Sequence, residues 1–174
     1  MKLAFLDCQV LFTWTLGQVS RRVKRGLSPA FETRVRQVET ALDLYHGLQP
    51  ACSINDACGV VTQLYKSGDL PLVGDITGFP VRKSLAREAA QCLRGRVHFL
   101  SPGLEHFVRA EQLWLKLCCR ESEEGYAQFA DYVDAALLLT PPSGLTIPVA
   151  LLGHAHVHYI LRKERATTLS WVIA

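Results

Sequence analysis

The sequence predicts an α/β fold: a single three-layer domain over residues 1–174 with a mixed, mostly parallel sheet and a C-terminal antiparallel hairpin at its edge. Three observations predict it. Short apolar runs alternate with longer segments of helical period, the order that builds a parallel sheet covered by helices. The Ser-Pro pairs at 28–29 and 101–102 mark helix starts. Near the C-terminus, residues 156–161 and 167–173 look like two strands joined by the charged stretch 162–166, which suits a hairpin.

Taken in order, Leu3-Ala-Phe-Leu6 is an apolar run ending at Asp7, as expected of a buried first strand. Val10, Leu11, Phe12 and Trp14 carry the apolar character into a helix. From Ser28-Pro29, the residues Phe31, Val35, Val38, Leu42 and Tyr45 recur at spacings of three and four, one stripe of a helix that Gly47 closes. The cap-like cluster Ser53-Ile-Asn55-Asp56 opens a further helix, with Ile54, Cys58, Val61 and Tyr65 as its apolar stripe. Leu70 to Val73 reads as a short strand that stops at Gly74-Asp75. Pro80 to Leu93 fits a basic amphipathic helix with Leu85, Ala89 and Cys92 inward and Arg82, Lys83 and Arg87 outward. Val97–Leu100 is a third strand and 104–118 a long apolar helix; 126–139 is another helix, broken at Pro141-Pro142 before the apolar run 145–152.

At 174 residues, with 49% hydrophobic and 20% charged side chains, the chain has the composition of an ordinary globule rather than of a disordered segment. The net charge of +3 permits an anionic partner without demanding one. The densest basic run, Arg21, Arg22, Lys24 and Arg25, is the candidate contact for RNA phosphates. The six cysteines include no Cys-x-x-Cys pair, so free thiols in a reducing compartment are expected. No signal-peptide pattern and no apolar stretch of ~20 residues is present; a cytoplasmic protein without a membrane partner is expected.

Chemistry in an open α/β sheet collects at the carboxyl ends of strands. Asp7 and Asp75 fall at such ends, and Asp131 and Asp134, three apart on a helix, share a face. Clustered carboxylates are hard ligands suited to Mg²⁺ or Mn²⁺. There is no Gly-x-Gly-x-x-Gly, Walker or Gly-x-Ser-x-Gly signature, so nucleotide-cofactor and serine-hydrolase chemistry lack support.

Phe5-Leu6-Asp7-Cys-Gln-Val-Leu-Phe12 resembles the opening of PIN-domain ribonucleases, and Tyr132-Val-Asp134-Ala-Ala-Leu-Leu followed by Gly144 and the run 145–152 is similar to their later motif. The resemblance implies divalent-metal-dependent hydrolysis of RNA phosphodiesters, with Asp7 and Asp134 as the metal-organising acids. Asp131 would support them, with either Asp75 or Glu88 in the place of the family's middle acid. The chain departs from the family at Cys8-Gln9, where Thr-Asn is usual, and at Gly153-His154.

Two other functions are open. His154, His156 and His158 alternate, and on a strand they would share one face able to bind Zn²⁺ or a similar ion. A non-catalytic module would bind a protein partner, a second copy or RNA through the edge hairpin, the basic runs or the helix from Leu104.

Overall fold

The computed structural model describes residues 2–44, 47–66, 70–74, 78–117, 127–141, 148–164 and 170–172. Among them the chain runs β1 (Leu3–Leu6), α1 (Cys8–Arg22), α2 (Pro29–Leu44), β2 (Gln49–Ser53), α3 (Ile54–Lys66), α4 (Phe79–Arg96), β3 (His98–Leu100), α5 (Leu104–Leu117), α6 (Phe129–Leu139), β4 (Ala150–Leu152), α7 (Ala155–Lys163) and β5 (Ser170–Val172). The strands form one sheet in the order β3-β2-β1-β4-β5, and every pairing is parallel.

β1 lies at the centre, fully buried, in register with β2 (Phe5 beside Ala51) and β4 (Leu6 beside Leu152). Strands covered on both faces have no polar side to show, which is why Leu3–Leu6 and Ala150–Leu152 are apolar throughout. Side chains alternate across the pleat. Ala4, Leu6, Cys52, Ala150 and Leu152 therefore join one core with residues of α1 to α4. Leu3, Phe5, Ala51, Leu100 and Leu151 join a second core with α5, α6 and α7.

The mixed sheet with a C-terminal antiparallel hairpin, expected from the sequence, is corrected to an all-parallel sheet. Residues 156–161 are helix, not strand. Val157, Ile160 and Leu161 are buried at helical spacing on α7, and the period-two impression came from the polar histidines between them. α7 then returns the chain to place β5 parallel to β4, the connection a parallel pair requires.

The second strand is also displaced. It is Gln49–Ser53, whereas the expected strand at 70–73 makes only a single antiparallel bridge, Leu72 with Leu27. On α3 the buried face is Ala57, Val60 and Leu64; Ile54, Cys58 and Tyr65, expected inward, are exposed. The α2 stripe Phe31, Val35, Val38 and Leu42 is buried as expected. Arg82, expected outward on α4, is buried and donates to the Leu64 carbonyl at 3.2 Å, near the C-terminal end of α3. Tyr45, Asp75, Cys118, Cys119 and the stretches 120–125 and 165–169 lie outside the described residues. No helix among the described residues is long and apolar enough to cross a membrane.

Candidate functional site

Strand order reverses direction at β1: successive crossovers lead to β2 and β3 on one side and to β4 and β5 on the other. The crevice at the carboxyl ends of β1 and β4 is thus the topological switch point, where α/β sheets bind ligands. A cavity of about 280 Å³ opens there, lined by Asp7, Ser53, Asp56, Asp131, Asp134, His154 and His156 among others.

All of these groups but Asp134, one turn further along α6, reach the cavity from a helix start. Asp7 ends β1 and caps α1, its Oδ1 accepting from Val10 N at 2.8 Å. Its Oδ2 accepts from His154 N at 3.1 Å, across 147 residues of chain, so this carboxylate also ties β1 to the turn after β4. That turn is Gly153-His154, both at positive φ (73° and 53°). A side chain at Gly153 would overlap the Asp7 carboxylate, and so only glycine fits. His154 carries its left-handed backbone at a cost that sites of function commonly hold.

Asp56 sits in the first turn of α3. Ser53 Oγ donates to its Oδ2 at 2.8 Å and accepts from its backbone N at 3.2 Å, a reciprocal cap that fixes the carboxylate at the helix start. On α6, Asp131 closes a capping box, accepting from Gln128 N at 2.8 Å. Asp134, one turn on, is buried.

Ligand atoms of Asp56, Asp134 and His154 all lie within 4.8 Å of one another. Burial, then Asp56 and Asp131, push the Asp134 carboxyl up to about 8. Burial also raises Asp56, against the pull of His154 and the Ser53 hydroxyl. Burial lowers His154, with Asp56 and Asp7 opposing. These shifts favour the neutral forms of the Asp134 carboxyl and the His154 imidazole, and the three donor atoms are close enough together that they could hold a metal ion once Asp134 is deprotonated. The orphaned nitrogen of His154 supports that fit: Nε2 is buried without a hydrogen-bond partner among the described residues, as is His156 Nδ1.

Of the residues singled out in the sequence, Asp7, Asp131, Asp134, His154 and His156 meet at this cavity. His158 is on α7, its N–H donating to the His154 carbonyl, and does not line it. Glu88 is elsewhere: it faces Arg22 at 3.7 Å, at the far end of α1 and about 20 Å along that helix from Asp7. Asp75 is outside the described residues. Arg21 is engaged with Glu39 at 2.6 Å, while Lys24 and Arg25 line a separate groove with Arg36. Asp56 was missed as a site residue, because it reads as a helix cap until Gln49–Ser53 is recognised as a strand delivering it to the switch point.

The fold and cluster define an α/β domain with a carboxylate-imidazole group at a switch-point crevice. No protein-family model matches this chain, and no curated protein matches it.

Proposed function

We propose that this chain is a PIN-like, three-layer domain that works in the cytoplasm and hydrolyses RNA phosphodiesters with a bound divalent metal ion, Mg²⁺ or Mn²⁺. The observation that carries the proposal is the convergence of Asp56, Asp134 and His154, with Asp7 and Asp131 lining the same cavity. The resemblance of the segments around Asp7 and Asp134 to PIN-domain ribonucleases supports the reaction type, and Asp56 takes the place of the middle acid. The ion would be held by Asp56, Asp134 and His154; it would supply charge neutralisation at the phosphate and an acidified water.

The chain's own groups serve the same chemistry. Asp134 would release its proton to solvent in order to hold the ion, and Asp7 is fixed by two backbone N–H donors. α1, α3, α6 and α7 all begin at the cavity, so four positive helix ends draw an anionic substrate towards acids that would otherwise repel it. Lys24 and Arg25, about 20 Å along α1, offer a phosphate contact that a polynucleotide reaches and a mononucleotide does not. The described cysteines are free, as suits a reducing compartment.

The test is cleavage of end-labelled single-stranded RNA by the intact chain with Mg²⁺, with Mn²⁺ and with EDTA. Cleavage that needs the ion and is lost in Asp56→Asn and Asp134→Asn is expected. Cleavage that survives both substitutions would sink the proposal.

A second reading, a non-catalytic binding module, is favoured by one observation: Phe107, Val108 and Trp114 on α5 lie exposed beside Phe129 of α6. It predicts a saturable protein partner and no metal-dependent turnover.

A further inference from the structure

Two buried histidines in this protein have opposite surroundings. His106, fully buried on α5, has both ring nitrogens engaged: Gly103 N donates to Nδ1 at 2.7 Å, and Nε2 lies 2.7 Å from the Thr140 carbonyl oxygen, which accepts its proton. That is a structural histidine with its hydrogen bonds complete. His154 is as thoroughly enclosed, at 6% exposure, yet its Nε2 meets no hydrogen-bond partner among the described residues.

The ring of His154 is nonetheless held in one place. It stacks on Phe5 with centroids 4.5 Å apart and planes 4° from parallel. A hydrogen bond with the Leu6 backbone acts on it from β1. The Asp7 carboxylate accepts from the His154 backbone N. This tightly oriented imidazole has a ring nitrogen within 4.8 Å of carboxylate oxygens of Asp56 and Asp134, and its buried Nε2 lacks a hydrogen-bond partner among the described residues.

We propose that His154 Nε2 is an inner-sphere metal ligand alongside Asp56 and Asp134, and that the site therefore selects a transition ion of the Mn²⁺, Co²⁺ or Zn²⁺ class over Mg²⁺. This rests on the metal centre proposed above and names the ion it takes. Mg²⁺ binds oxygen in near-ideal octahedral geometry and keeps several waters. Imidazole nitrogen suits the later first-row ions, and two carboxylates with one imidazole give three protein ligands and leave positions open for water and phosphate. The three donors come from the first turn of α3, from α6 and from the residue that caps α7, elements fixed by the two cores.

The test uses the intact chain stripped with EDTA and then titrated calorimetrically with MgCl₂, MnCl₂ or ZnCl₂. The Mn²⁺-loaded protein is also examined by pulsed electron paramagnetic resonance for coupling to a directly bound nitrogen. Mn²⁺ and Zn²⁺ are expected to bind about ten-fold or more tightly than Mg²⁺, with one imidazole nitrogen coupled to Mn²⁺. His154→Ala should lose that coupling and weaken Mn²⁺ by about 10- to 100-fold; His156→Ala should keep it. The wild-type spectrum needs no variant, so a misfolded substitution does not blunt the test. Absence of nitrogen coupling in wild type, coupling lost in His156→Ala instead, or Mg²⁺ bound as tightly as Mn²⁺ overturns the inference. If Mg²⁺ alone binds and RNA is cleaved, the inference falls and the nuclease proposal stands. If Mn²⁺ binds through nitrogen but RNA is untouched, the reverse holds. No binding of any ion removes both.

Discussion

Replacing Asp134 by Asn should stabilise the metal-free protein, and by an amount that depends on pH. The carboxyl is 7% exposed and is pushed from an ordinary 3.8 up to about 8, first by burial and then by Asp56 and Asp131. A raised acid keeps its proton in the folded chain while the unfolded chain releases it. Its stabilising contribution is therefore complete below pH 4 and is lost as pH rises towards 8. His154 acts oppositely. Its folded-state pKa is lowered, so its contribution is intact above about 6.5 and lost as pH falls below that. Cys8 and Cys52, pushed up by burial to about 11 and 12, begin to act only above about pH 9.

Asp56, also raised by burial, acts with the same sign, so from pH 6.5 to 8.5 the difference between wild type and Asp134→Asn reports Asp134. At about 1.4 kcal/mol per pH unit while the folded state holds the extra proton, wild type should lose ~2 kcal/mol more than Asp134→Asn across that range. Urea unfolding in EDTA at four pH values measures both slopes. Adding Mn²⁺ at about 100 times its Kd should restore ~2.7 kcal/mol to wild type and nothing to the variant. Parallel slopes for the two proteins would refute the placement of a neutral carboxyl at this site.

Gly153→Ala should lower stability by about 1–3 kcal/mol, because the new side chain is strained at positive φ and overlaps Asp7; thermal unfolding reads the loss, and Mn²⁺ titration should show the site gone. Lys24→Ala with Arg25→Ala should weaken RNA binding without touching metal affinity. Filter binding across a salt series should find the log–log slope reduced by about 1.4, the share of two phosphates on a single strand. Arg82→Met, which removes the charged donor to Leu64 O, should cost about 1.5–3 kcal/mol in urea unfolding, whereas Arg87→Met on the same helix should cost almost nothing.

What the sequence made legible was local. Ser28-Pro29 and the Phe31–Leu42 stripe name α2 because capping and periodicity are written in neighbouring residues. Leu3–Leu6 names β1 because a strand buried on both faces is continuously apolar. β2 escaped because Gln49–Ser53 is held by parallel pairing on both sides rather than by its own composition, which includes Pro50 and two polar residues. α7 escaped because three alternating histidines outweighed the spacing of Val157, Ile160 and Leu161. The same two misreadings hid half of the site. Asp7 and Asp134 were found from their own surroundings, but Asp56 depends on β2 and the true setting of His154 depends on α7.

The tie between Asp7 and His154 has a consequence for how the protein comes into being. Asp7, an acid of the cavity, is made 147 residues before its partner His154. During synthesis β1 must wait with one edge unpaired until β4 is available, since the central strand completes its pairing only through that late segment. Contacts of such separation slow folding and prolong the exposure of an apolar strand edge.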